Sequence, residues 1–301
     1  MKTMPLLCFI AFLLSPVRGA EHGDFPMELK SKQAASSARE VQEFIAKSYE
    51  ANKANPAYFV ASANYYLNAS LQPNLSTRPA GPGDYVLADP KTGKAVGSIS
   101  TSGQVDPALQ QKAVTLLAEA HSRFPYRLDI GMGLAYLQRE LKEQSKCCST
   151  LIEILKYSPK NTTKLEWNVG GPLPEPASDY IPRLVQGYTS SFFKLDSKEG
   201  DELCRKLCNR AIQAYPESPY AYNMLAALSD AHGDKKTTIK YLLIAHQKAP
   251  KDALVLFNLA TTCRASGDDA SALRYFEQVM SLNPDEQMKH SVRLAIADLK
   301  K

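Results

Sequence analysis

A chain of 301 residues, 44% hydrophobic and 22% charged, has the make-up of an ordinary folded, soluble protein, which excludes disordered and collagen-like classes. Its formal charge of +5 at pH 7 is too mild to argue for a nucleic-acid partner. The chain is also long for one compact core, so its apolar residues must be organised in some way that grows by addition.

The N-terminus carries Lys2, an apolar run from Leu6 to Leu14, and the small pair Val17 and Gly19. This pattern predicts a secretory signal peptide over residues 1–19, cut after Gly19, with an uncleaved anchor or a buried N-terminal helix as the other readings. Cys8 lies inside the apolar run rather than after it, which argues against a lipoprotein. Cleavage would remove Lys2 and Arg18 and no acid, taking the formal charge to +3. No later run approaches the roughly 18 apolar residues that a membrane-crossing helix needs.

Val41, Phe44, Ile45, Ser48 and Tyr49 form a helical stripe, predicting an N-terminal helix within residues 33–54 that stops at Asn55-Pro56. The next helix, from Pro56 to Asn68, carries Tyr58, Ala61, Tyr65 and Tyr66 and reads as the first arm of a helical hairpin. Its partner is delayed by an insertion over residues 69–105. There Tyr85, Val86 and Leu87, then Val96 and Ile99, flank a turn-rich Asp89-Pro90-Lys91-Thr92-Gly93-Lys94, which predicts a β-hairpin. The second arm begins near Asp106-Pro107, with Ala113, Leu116, Leu117 and Ala120 as its stripe and Pro125 as its close, completing a unit over 55–125.

Pro125 and Pro159 stand 34 residues apart, and Leu134, Ala135, Leu151 and Ile154 between them predict a further hairpin over 126–161, although Gly131 and Lys142 break the pattern. A proline- and glycine-rich insertion, 162–184, holds the single tryptophan, Trp167. After it Tyr188, Phe192, Leu195, Gly200, Cys204, Cys208 and Ala211 restore a degenerate hairpin over 185–218. Two regular blocks follow, 219–252 and 253–286. Gly233 aligns with Gly267, Pro250 with Pro284, Leu225 with Leu259, Ala226 with Ala260, and Leu242 with Phe276, each pair 34 residues apart. Such a period marks a repeat array. Within a block the apolar stripes predict two helices, the glycine supplies the reversal, and the proline ends the second arm. Beyond them Met288, Val292, Ala295, Ile296 and Leu299, backed by Lys289, Arg293, Lys300 and Lys301, predict a capping helix over 287–301.

In its bulky opening residue, Leu-Ala pair, turn glycine, small residue early in the second helix, aromatic or aliphatic anchor and closing proline, each block resembles the tetratricopeptide repeat family. The departures are Thr238 for the expected alanine and Asp269 for the expected aromatic. The resemblance implies an all-α fold, a right-handed superhelical stack of helical hairpins, here with a small β-hairpin insertion. It also implies a binding groove lined by the first helix of each hairpin. Residues off the packing stripe would face that groove: Met132, Tyr136 and Arg139, then Gln186, Thr189 and Phe193, then Tyr220, Asn223 and Asp230, and finally Phe257, Asn258, Thr261 and Arg264. Some members clamp a C-terminal carboxylate with asparagine and lysine. Asn223 and Asn258 are present here, but the partnering lysines are not.

Cys147, Cys148, Cys204, Cys208 and Cys263 admit three readings: small core thiols, one disulfide joining Cys147 or Cys148 to Cys204 or Cys208, or a metal site. The histidines His22, His121, His232, His246 and His290 show no ligand spacing, and no catalytic constellation, phosphate loop or cofactor motif stands out. Sequons at Asn68, Asn74 and Asn161 are taken as inert. The sequence therefore predicts an exported, periplasmic protein that binds a protein or peptide without catalysis and needs no cofactor. The alternative from another class is an envelope enzyme or glycan-binding factor using Trp167 and the Tyr85 hairpin as a ligand platform. A protein of a secretory lumen is a third setting.

Overall fold

The computed structural model describes residues 24–71, 74–76, 85–88, 95–100, 105–167 and 170–300, with the backbone alone for 74–76, 85–88 and 95–100. The expected signal segment lies outside the described residues. The described chain is mostly helical and divides into two compact units. The first takes the chain up to Leu141 together with Leu165–Pro172; the second takes Lys142–Lys164 and the chain from Leu173 onward. Among the described residues no helix is long and apolar enough to cross a membrane.

The first unit opens with α1 (Phe25–Ala35) and α2 (Ala38–Asn52), where the sequence pattern predicts one helix. Ser37 separates them: its hydroxyl accepts from the Glu40 amide while the Glu40 carboxylate returns to the Ser37 amide, a reciprocal cap that starts α2 afresh. Helix α3 (Pro56–Ser70) begins at the Asn55 cap and packs along α4 (Pro107–Arg123), so the two arms form a hairpin despite the insertion between them. The base of that insertion is closed by a bridge between Leu71 and Val105 and by the Asp106 amide donating to the Ser70 carbonyl at 2.9 Å. Inside it, β1 (Asn74–Ser76), β2 (Tyr85–Ala88) and β3 (Ala95–Ser100) form an antiparallel sheet in the order β1-β3-β2. Helix α5 (Leu128–Glu140) follows α4. The core of this unit is aromatic: Phe25 stacks on Phe44 at 5.6 Å, and Tyr58 meets Phe59 edge-on at 5.3 Å.

In the second unit α6 (Gln144–Tyr157) packs on α8 (Lys198–Ala214), and α7 (Ala177–Phe193) pairs with α8 as a hairpin. Helix α7 starts well inside the stretch 162–184 that reads as irregular, because Pro182 lies in the early helix and forfeits one backbone bond there. Two regular hairpins follow: α9 (Tyr220–Ala231) with α10 (Lys235–Lys248), and α11 (Ala253–Ala265) with α12 (Asp269–Ser281). Helix α13 (Glu286–Leu299) packs on α12 and buries Val292 and Ala295.

The turns that join the two arms of the hairpins contain a residue in the left-handed region, whereas the turns between successive hairpins, at 215–219 and 249–252, do not. Gly233 and Gly267 take it at φ 76° and 78°, whereas Lys142 and Asp196 do so without the help of glycine. Gly200, in the first turn of α8, serves a different end. A β-carbon there would stand 2.5 Å from the Phe192 carbonyl oxygen, so its bareness lets the last turn of α7 approach α8.

Candidate functional site

The C-terminal hairpins of the second unit leave an open groove. A cavity of about 560 Å³ is lined by Asn223, Ala226, Ala227, Asp230 and Ala231 of α9, by Lys235, Thr238 and Leu242 of α10, and by Asn258, Thr261, Thr262 and Ala265 of α11, with Phe193 at one side. The helices hold these side chains there for simple reasons. Leu225, Leu228, Leu256 and Leu259 are buried in the hairpin cores, so the residues between them on the 3.6-residue turn face outward. Asn258 Nδ2 donates to Asn223 Oδ1 at 3.1 Å, linking the two first helices across the groove and leaving amide donors and an acceptor available. Thr261 and Thr262 turn their hydroxyls onto their own helix, to the carbonyls of Phe257 and Asn258, so these two positions present chiefly methyl groups.

A second cavity, of about 440 Å³, adjoins the first through Thr261. Its walls are Phe257 and Arg264 of α11, Phe276 of α12, and Ser291, Leu294, Ala295, Ala297 and Asp298 of α13. Phe257 and Phe276 meet edge-on at 6.0 Å, and Arg264 reaches Asp298 at 2.9 Å. Lys235 is likewise held by Asp230 at 2.6 Å.

The residues that the sequence singles out are therefore divided. Asn223, Asp230, Phe257, Asn258, Thr261, Arg264 and Phe193 converge on these two cavities. Tyr220, Gln186 and Thr189 instead line a space of about 10 Å³, room for a single water at most. Met132, Tyr136 and Arg139 belong to the first unit, and Met132 and Tyr136 are buried, with Arg139 stacked 4.9 Å over the Tyr136 ring and bonded to Glu140. They do not form an exposed aromatic face, because α5 is buried along nearly its whole length. The sequence pattern offers no place in the groove to the α10 side chains or to Leu294, since second arms and caps read as solvated or core-facing.

Trp167 is corrected in the same way. It is 9% exposed, and its amide donates to the Gly171 carbonyl at 2.7 Å, so the indole is packed rather than presented to a ligand. The neighbouring Glu166 exchanges backbone bonds with Tyr126 and Leu128, at 2.9 and 3.0 Å, which lays this segment against the entry to α5. There Arg127 makes a bidentate pair with Asp129 at 2.9 and 2.7 Å, with Glu166 4.0 Å away. Burial works against the Arg127 charge, but the Asp129 hydrogen bonds and charge outweigh it and raise the guanidinium further.

Of the three readings of the cysteines, the structure matches the small core thiols rather than the disulfide: Cys147, Cys148, Cys204, Cys208 and Cys263 are all free and buried. Cys148 Sγ points at the Leu203 carbonyl, 3.8 Å away, and Cys204 and Cys208 stand one turn apart on α8. The neighbouring Cys204, with burial, pushes the Cys208 thiol well up, and burial chiefly, with Cys204 nearby, raises Cys148. Among the described residues no group of three His, Cys, Asp or Glu side chains could hold a metal ion.

No family model and no curated protein matches the chain. Solved structures bear a remote likeness to it. YrrB, described as a TPR protein with an unusual peptide-binding site, has a TM-score of 0.42 at 11% identity, over 83% of this chain and 97% of its own. TTC0263, a TPR protein of Thermus thermophilus, has a TM-score of 0.38 at 13% identity, over 64% and 91%. The MamA fragment of Desulfovibrio magneticus RS-1 has a TM-score of 0.36 at 14% identity, over 57% and 85%. The 34-residue spacing, the left-handed glycines in the turns and the pairing of α9 with α10 and of α11 with α12 make residues 219–286 two successive helical hairpins of one repeat.

Proposed function

We propose that this protein is a non-enzymatic scaffold that binds an extended segment of another protein in the groove of its C-terminal hairpins. The observation that carries this reading is the pair of adjoining cavities along α9, α11 and α13, where asparagine amides sit beside Phe193 and Phe257. An extended backbone needs donors and acceptors, and its side chains need apolar recesses; the groove offers both. We also propose that the protein acts outside the cytosol, as an assembly factor of the cell envelope, on the strength of the signal-like residues 1–19.

A photo-crosslinking side chain placed at Thr261, exposed at the junction of the cavities, tests the groove, with Gln278 on the exposed side of α12 as the control. The expected result is one polypeptide adduct from position 261 that position 278 does not give. Equal adducts from both positions, or none, would overturn the proposal. The envelope setting is tested separately by mass spectrometry of the native chain, which is expected to begin at Ala20.

A further inference from the structure

We infer that the groove selects an uncharged peptide segment anchored by one bulky apolar side chain, and that Leu294 of the last helix is a specificity-determining contact. This rests on the peptide-binding reading above and narrows it.

The charged side chains lining the two cavities are Asp230, Lys235, Arg264 and Asp298, and each is already paired: Lys235 with Asp230 at 2.6 Å, Arg264 with Asp298 at 2.9 Å. The remaining walls are amides, hydroxyls, alanines and apolar side chains. A charged ligand group entering this space would find no unengaged counter-ion and would have to compete with one of these half-exposed pairs, which leaves it no electrostatic gain to set against its lost hydration. A neutral segment meets no such cost.

The apolar anchor follows from α13. A helix that merely closes a stack should show a polar outer face, as Lys289, Arg293 and Lys300 on this helix do. Leu294 departs from that rule: it is 60% exposed and stands at the edge of the 440 Å³ cavity that Phe257 and Phe276 floor. Its buried neighbours Val292 and Ala295 already hold α13 against α12, so Leu294 adds nothing to the core. An exposed leucine beside the half-buried Phe257 makes a two-sided slot in which an aromatic or aliphatic side chain of the partner would be buried.

The test uses the full chain and fluorescent short peptides of net negative, zero and net positive charge, each with and without one phenylalanine, read by anisotropy at low and high salt. The neutral phenylalanine peptides are expected to bind best, with affinity insensitive to salt. Leu294→Glu should weaken them about tenfold or more. Leu243→Glu, at an exposed leucine of α10 outside both cavities, should leave them unchanged. Circular dichroism is expected to show both variants folded. Preference for either charged series, or neutral binding unmoved by Leu294→Glu, would overturn the inference. So would a parent dimer that Leu294→Glu makes monomeric, since the slot would then hold a second copy. Binding by none of the peptides would instead count against the groove reading itself.

Discussion

The pair between Arg127 and Asp129 offers the sharpest test of the packing argument. Replacing Asp129 with alanine leaves a guanidinium in place with its two short hydrogen bonds gone, in surroundings where both side chains are less than a tenth exposed. Breaking a buried ion pair from one side costs about 3–5 kcal/mol. Glu166, 4.0 Å from Arg127 and better hydrated, takes over part of the charge, so the expected loss is at the lower end, about 3 kcal/mol. Urea unfolding followed by tryptophan emission reads this selectively, because Trp167 is the single tryptophan and belongs to the same unit as Arg127. Replacing both partners, Arg127→Met with Asp129→Val, removes the stranded charge and is expected to return stability to within about 1 kcal/mol of the parent. An Asp129→Ala variant that loses less than about 1 kcal/mol, or a double variant no better than the single, would refute the reasoning.

Three further outcomes are expected. Gly200→Ala forces a methyl group to within 2.5 Å of the Phe192 carbonyl and should destabilise the second unit by about 1–3 kcal/mol in a thermal melt; Gly233→Ala, whose β-carbon meets nothing within 4 Å, carries only the backbone cost of its positive φ, about 1 kcal/mol. At acid pH, the Ser271 amide and hydroxyl hold the Asp268 carboxyl below its usual range, and the Thr237 hydroxyl and amide do so for Asp234. These caps therefore contribute above the unfolded value near pH 4 and are lost as pH falls through their lowered folded values. Asp268→Asn, which keeps the cap without the titration, should flatten the drop in melting temperature below about pH 4, and an unchanged slope would count against it. Finally, buried thiols held protonated react slowly, so Cys148, Cys208 and Cys263 should be silent to a thiol reagent in native protein and appear only with unfolding. Rapid native labelling of these positions would contradict their burial.

The regular hairpins were legible because their apolar stripes and turn glycines repeat in register, so each block confirms the next. Helix α1 was not, since Phe25 and Leu29 are its only buried residues and two positions make no stripe. The start of α7 was hidden by Pro182, which ordinarily ends a helix but here sits early enough to cost one bond. In the site, Asn223, Phe257, Asn258 and Arg264 could be read from their places off the packing stripe of a first helix. Tyr136 could not be judged by that rule, because the burial of α5 depends on contacts made by residues far away in sequence. Leu294 carried a signal that went unused: a large apolar residue outside the stripe of a helix otherwise backed by charge.

The path of the chain near Trp167 bears on how such an array can be lengthened or cut. From residue 219 onward the chain runs hairpin after hairpin in sequence order, with α10 packed on α11 and α12 on α13. Upstream, the chain leaves the first unit after Leu141, comes back to it at Leu165 to hydrogen-bond Tyr126 and Leu128, and leaves again after Pro172. A fragment ended at Leu141 would strip those backbone partners from the entry to α5, and one begun at Lys142 would carry the returning segment with nothing to bond. No single break in the chain yields both units whole. Residues 24–172 are no excisable block either, since Lys142–Lys164 belongs to the second unit, where α6 packs on α8.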